Sequence, residues 1–204
     1  MTGILVSPAR ERLLARLNRA VRRPSEHGGL AAVARLLDEL AAAGAGGGGA
    51  EAGEAVWIPD TVARLAPSAF LREAFPGPDV HVVASQYGED AYRRGWLRLD
   101  RTLTGAEHAA LAEAVVAWAA DDRTLPEVLG AFGPPSVVFG PEDPELPKTL
   151  GYAAGDRTAR FVTFHLGAAR AAAGTGTAGL LAVRLHDGFL DGWALTPRGE
   201  TQLA

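Results

Sequence analysis

His165 and His186 fall in successive apolar runs near the end of the sequence, and with the Asp187 carboxylate they are the groups that could hold a zinc ion. The long Gly/Ala stretch between the two runs leaves their separation unset. Both are therefore read as polar residues on a sheet face, and no metal or cofactor is expected. Ser85, closing "VHVVAS", would be a nucleophile with His81 or His108 as base. The following "VASQY" lacks the glycines of a strand-to-helix nucleophile elbow, so a plain strand end is expected there. G-x-G-x-x-G occurs twice, at Gly44, Gly46, Gly49 and at Gly174, Gly176, Gly179. A dinucleotide fingerprint must leave a strand and open a helix, and neither run does so. The acidic "GPEDPELPK" (140 to 148) has three carboxylates without calcium-loop spacing. Its prolines would hold it extended, and a stiff solvent loop is expected in preference to a recognition loop.

With no intact catalytic motif, the enzyme question leans to no. The alternative is a small enzyme or ligand-binding protein whose pocket lies between residues 80–88 and the C-terminal sheet, using Ser85, His81, Tyr87 or the histidine pair.

Elements must position any of these groups, and 204 residues suffice for a proper core. No apolar run approaches the roughly 20 residues of a membrane span. A net charge of -4 opposes a broad phosphate-binding face, so nucleic acid is not an expected partner. The arginines of "ARERLLARLNRAVRR" (9 to 23) are read as a solvated helix face. The lack of cysteine fits a reducing, cytoplasmic setting, and we read no export signal at the start. Arginine almost throughout, with Lys148 the one lysine, reads as the coding bias of a GC-rich bacterium.

Three zones follow. Residues 1–43 predict a helical hairpin: Ser7 caps the first helix with Pro8 behind it, and Leu13, Leu14, Leu17 and Val21 follow at helical spacing. Ser25 is expected to cap the second, whose Leu30, Val33, Leu37 and Leu40 must dock on the body or pair two copies as a homodimer. Residues 44–55 read as a flexible linker. In 56–103, "PSAFLREAF" (67 to 75) reads as a helix, and "VHVVAS" (80 to 85) and "WLRLD" (96 to 100) as strands. "FLREAFPGPDVHVV" echoes "EVLGAFGPPSVVF", the mark of a diverged half-repeat.

The C-terminal zone is the clearest, and with 56–103 it makes one domain, 56–204. Thr104 with Glu107 and Thr124 with Glu127 are capping boxes that start two helices, the second stopped by Gly133. A meander follows in "TLGYAA" (149 to 154), "ARFVTFHL" (159 to 166), "LLAVRLH" (180 to 186) and "FLDGWAL" (189 to 195). The expected fold is α+β, with those helices on one face of an antiparallel sheet of four or more strands. A two-residue Asp187-Gly188 turn sets Arg184 opposite Asp191, Ala182 opposite Trp193 and His186 opposite Phe189. Leu181, Val183, Leu185 and Leu190 would then be buried, and Arg184, Asp191, His186, Phe189 and Trp193 would share the other face with Thr163 and His165.

Helix, short helix, Gly-Pro corner and meander over residues 104–195, with "TLPEVLGAFGPPS" at the corner, resemble the repeat of secreted beta-lactamase inhibitory proteins. The module is also similar to that of small outer-membrane assembly lipoproteins. The chain lacks the cysteines of the first and the lipidated cysteine of the second. The resemblance implies that the outer sheet face and its loops bind another protein and that no reaction is catalysed. The expected function is accordingly a non-catalytic, inhibitor-like or protein-binding module working through Trp193, Phe189, Arg184, Asp191, His186 and His165. Trp193 is either an exposed anchor or a core residue beneath another element.

Overall fold

The structure, a computed structural model, describes residues 7–45, 79–168, 176–185 and 192–203. Most of the expected linker, the expected helix at 67–75, and His186, Phe189, Leu190 and Asp191 lie outside them. The described residues form six α-helices and one five-stranded antiparallel sheet of order β1-β2-β3-β4-β5, an α+β fold. The helices are α1 (Pro8–Arg22), α2 (Gly29–Ala45), α3 (Asp79–Arg93), α4 (Gly105–Trp118), α5 (Leu125–Phe132) and α6 (Pro197–Leu203). The strands are β1 (Val137–Phe139), β2 (Lys148–Tyr152), β3 (Val162–Gly167), β4 (Gly179–Arg184) and β5 (Trp193–Leu195). No helix among the described residues is long and apolar enough to cross a membrane.

The sheet is covered on both faces. On one side α4 and α5 bring Leu111, Val115, Leu125 and Val128 onto Leu150, Tyr152, Val162, Phe164, Leu166, Leu180 and Val183. On the other, α1, α2 and α3 share a core with Val137 and Phe139 of β1 and with Phe161. The hairpin stripe is spent here: Val33, Leu37 and Leu40 are fully buried and Leu30 packs at the edge. Gly88 of α3 lets the helix lie on β1, because a Cβ there would come within 2.4 Å of the Phe139 ring.

Both capping threonines start helices as expected. Thr104 accepts the Glu107 N–H (3.2 Å) while its own N–H donates to the Glu107 carboxylate (2.7 Å). The Thr124 N–H and hydroxyl both donate to Glu127, each at 2.7 Å. At the end of α5 Gly133 takes φ 71°, a left-handed turn that favours glycine, and the Tyr152 hydroxyl donates to its carbonyl (2.8 Å). Gly133-Pro134-Pro135 is thus a corner leading into β1. Thr104→Ala is expected to cost about 1 kcal/mol, lowering the melting temperature by about 2–4 °C in a thermal scan.

Four local expectations are corrected. Residues 80–85 are not a strand but lie inside α3. Residues 96–100 form no strand: Trp96 and Leu97 are both buried, and their N–H groups close the end of α3 on the Ala91 carbonyl. Ser25 does not cap α2, because Pro24–Glu26 forms a 3-10 turn and the helix begins at Gly29. Arg184 pairs with Trp193 and Ala182 with Leu195, two positions from the expected register. An even slip keeps every side chain on its face, so Arg184, Trp193, Thr163 and His165 still share one. A bulge between His165 and Leu166 puts Leu180 in the apolar cluster under α4 and α5, while Leu181 is buried as expected but outside that cluster. The two halves of the echo also differ, since Val80 to Val83 are helical where Val137–Phe139 is a strand.

Candidate functional site

The face carrying Arg184 and His165 is not open to solvent. It forms a polar layer beneath α3. Spacing on that helix sets Ser85, Gln86, Glu89 and Arg93 along neighbouring turns. Glu89 reaches the sheet, where Arg184 Nη2 donates to its Oε2 (2.7 Å), and the two side chains are 3% and 1% exposed. Arg93 (2.7 Å) and Arg160 (3.2 Å) meet the other carboxylate oxygen from the rim. His165 lies between two threonines: Nδ1 is 2.9 Å from Thr149 Oγ1 and Nε2 is 3.0 Å from Thr163 Oγ1. Burial, then the nearby Arg184 charge, hold the imidazole well below its ordinary pKa, so it is neutral, with one nitrogen donating and the other accepting.

Trp193 answers the question left open above. It stands half-buried on edge strand β5, stacked on His165 with ring centroids 4.9 Å apart and planes at 29°. The structure therefore brings together His165, Arg184 and Trp193 of the six expected binding residues. The first two are buried members of a layer. Arg184 meets Glu89 of α3, a helix whose residues 80–85 the sequence predicts as strand, and His165 lies between Thr149, Thr163 and the Trp193 ring. His186, Phe189 and Asp191 lie outside the described residues.

Of the candidate catalytic groups, Ser85 and Tyr87 are absorbed in packing, His108 is half-buried on α4, and His81 stands at the start of α3. Ser85 is buried in mid-helix with its hydroxyl donating to the Val82 carbonyl (2.6 Å). Tyr87 is buried, which raises its pKa, with Asp38 adding in the same direction. Among the described residues no cluster of three metal-ligating groups occurs.

A second place has the makings of a contact site. The loop from Gly140 to Pro147 is fastened from beneath by Lys148, whose ammonium donates to the carbonyls of Pro141 (2.8 Å), Glu142 (3.2 Å) and Asp143 (2.5 Å). Arg23 donates to the Gly140 carbonyl and pairs with Glu142. The Pro144 carbonyl accepts from Ala178 N–H (2.7 Å), and the Asp143 carboxylate accepts from Glu145 N–H (2.9 Å). Leu146 is left 44% exposed at the crest. Beside it opens a cavity of about 320 Å³ lined by Val80 and His81 at the start of α3, Pro141, Leu146 and Pro147 of the loop, and Arg23, Ser25 and Glu26.

Sequence reasoning passed over both Glu89 and the Lys148 clamp. The first carried no signal, since its partner is 95 positions away. The second had one: the one lysine in an arginine-rich chain stands where a slender ammonium meets three carbonyls at once. No family model, curated protein or solved structure matches this chain.

Proposed function

We propose that the chain is a non-catalytic protein-binding module that holds a partner peptide on the Gly140–Pro147 loop and in the cavity beside it. The observation that carries this reading is the clamp. A buried lysine spends its three donors on successive carbonyls, which fixes a surface loop whose outward side offers an exposed leucine, an exposed proline and three carboxylates. Fixing the loop in advance removes an ordering cost that binding would otherwise carry. The partner suited to it is an extended segment with one apolar side chain for the cavity and an arginine or lysine facing Asp143 and Glu145. The likeness of residues 104–195 to inhibitor modules supports the same reading, with the contact moved from the covered sheet face to a loop.

A second reading rests on the cavity itself. Its volume of about 320 Å³ lies at the lower end of the range for small-molecule sites, and Val80, Pro141, Leu146 and Pro147 give it an apolar wall. A small apolar ligand would then occupy it. The cavity shares Val80 and His81 with the pocket expected between residues 80–88 and the C-terminal sheet, but its other wall is the Gly140–Pro147 loop and not the sheet.

Selection from a displayed random-peptide library separates the two. The expected result is enrichment of an apolar residue flanked by basic ones, with Leu146→Asp lowering affinity by about tenfold or more at an unchanged melting temperature. No enrichment, or enriched peptides indifferent to Leu146→Asp, would overturn the peptide reading. Fragment-sized apolar probes that raise the melting temperature of the parent but not of Val80→Trp would favour the second.

A further inference from the structure

We propose that the groove between α1 and α2 is a binding site for a small phosphoanion of at least two negative charges, of the inorganic pyrophosphate class. Arg16 and Arg19, one turn apart on α1, Arg35 of α2 and His27 of the connecting turn surround a cavity of about 210 Å³ floored by Ala20, Ala32 and Leu36. No carboxylate lines it. Among the described residues none of the three guanidinium groups has an ion pair, and Glu39, one turn beyond Arg35, does not reach it.

Several half-buried or buried arginines meet carboxylates, among them Arg22 with Asp100, Arg23 with Glu142, and Arg93 and Arg184 with Glu89, whereas Arg16, Arg19 and Arg35 stand exposed around one concavity. The protein as a whole carries net charge -4, so an arginine excess over the entire surface does not explain the convergence. Like charges around one concavity repel, and an anion between them removes that repulsion. Guanidinium forks match phosphoryl oxygens two at a time, and His27 can donate one bond more. The cavity is smaller than the roughly 300–1,000 Å³ of sites that enclose drug-sized molecules, which selects a compact anion over a whole nucleotide. Arg16 and Arg19 lie on an exposed face of α1, as the sequence leads one to expect, and Arg35 joins them from another helix.

The test is calorimetric titration of the full chain with inorganic pyrophosphate at low ionic strength, with orthophosphate, phosphatidylglycerol vesicles and single-stranded RNA as parallel arms. The expected result is saturable pyrophosphate binding that weakens as salt rises. Arg16→Gln and Arg35→Gln, on separate helices, should each lower affinity by about tenfold, while Arg12→Gln, one turn outside the groove, should change it by less than about twofold. All three are exposed, so melting temperatures should stay within about 2 °C of the parent. Pyrophosphate that fails to bind at millimolar concentration, or binds equally to the groove variants, would overturn the proposal. So would tighter binding to vesicles or RNA than to pyrophosphate, since the groove would then serve a membrane or a nucleic acid.

Discussion

Glu89→Ala is expected to lower the stability of the fold by about 3–5 kcal/mol, seen as a large drop in the midpoint of urea unfolding. Glu89 Oε2 and Arg184 Nη2 meet at 2.7 Å with both side chains almost wholly out of water, so removing the carboxylate leaves a buried guanidinium stripped of its closest counter-charge. The other two arms of the cluster matter less. Arg93 and Arg160 are about a third exposed, and water and salt screen pairs of that kind to roughly 0–1 kcal/mol. Glu89→Leu with Arg184→Met is the deciding companion. Two apolar side chains of similar volume avoid the desolvation cost, and the double variant should recover most of what the single one loses. A loss below about 1 kcal/mol for Glu89→Ala would show that the pair behaves as a surface bridge and that α3 is held on the sheet by its apolar contacts alone.

That pair also explains why the expected binding face is a seam between layers. On the sequence, Arg184 alternates with Val183 and Leu185 and looks like the polar half of an amphipathic strand. The residue that makes it a core residue lies in a segment whose structure is misread. In 79–93 both sides of the helix are covered: Ala84, Tyr87 and Ala91 belong to the core shared with the N-terminal helices and β1, and Glu89 faces Arg184 of the sheet. The polar residues of this helix, Ser85, Gln86 and Glu89 among them, are buried instead of facing solvent, and its run of Val80, Val82 and Val83 imitates a strand. By contrast, α4 and α5 announce themselves through Thr104, Glu107, Thr124 and Glu127, whose side chains act within four residues. The meander is legible for the same local reason. Register fails by two because the connection from β4 to β5 is longer than the Asp-Gly turn implies, yet the pleat keeps His165, Arg184 and Trp193 on one face. Local chemistry in the sequence is thus readable, whereas the pairing of Glu89 with Arg184 and the meeting of Arg16, Arg19 and Arg35 depend on packing between distant segments.

His165 sets a pH dependence with a definite sign. In the unfolded chain an imidazole takes up its proton near pH 6.5. In the fold, burial first and the Arg184 charge second push its pKa well below that value, while Thr149 and Thr163 engage both ring nitrogens of the neutral form and Trp193 covers the ring. Below about pH 6.5 the unfolded state therefore binds one more proton than the native state. Stability conferred by this group is fully present above that pH and falls by about 1.4 kcal/mol per unit as the medium is acidified toward the depressed native pKa. Other groups titrate in the same window, His108 among them with its pKa lowered by burial, so the parent alone does not isolate the effect. His165→Gln does, because a glutamine amide can still meet both threonines and carries no titratable proton. The stability difference between parent and variant should shrink by about 2 kcal/mol at most between about pH 7 and pH 5. A difference that stays constant over that interval would mean His165 is protonated as readily in the fold as in the open chain, and that the layer beneath α3 admits water.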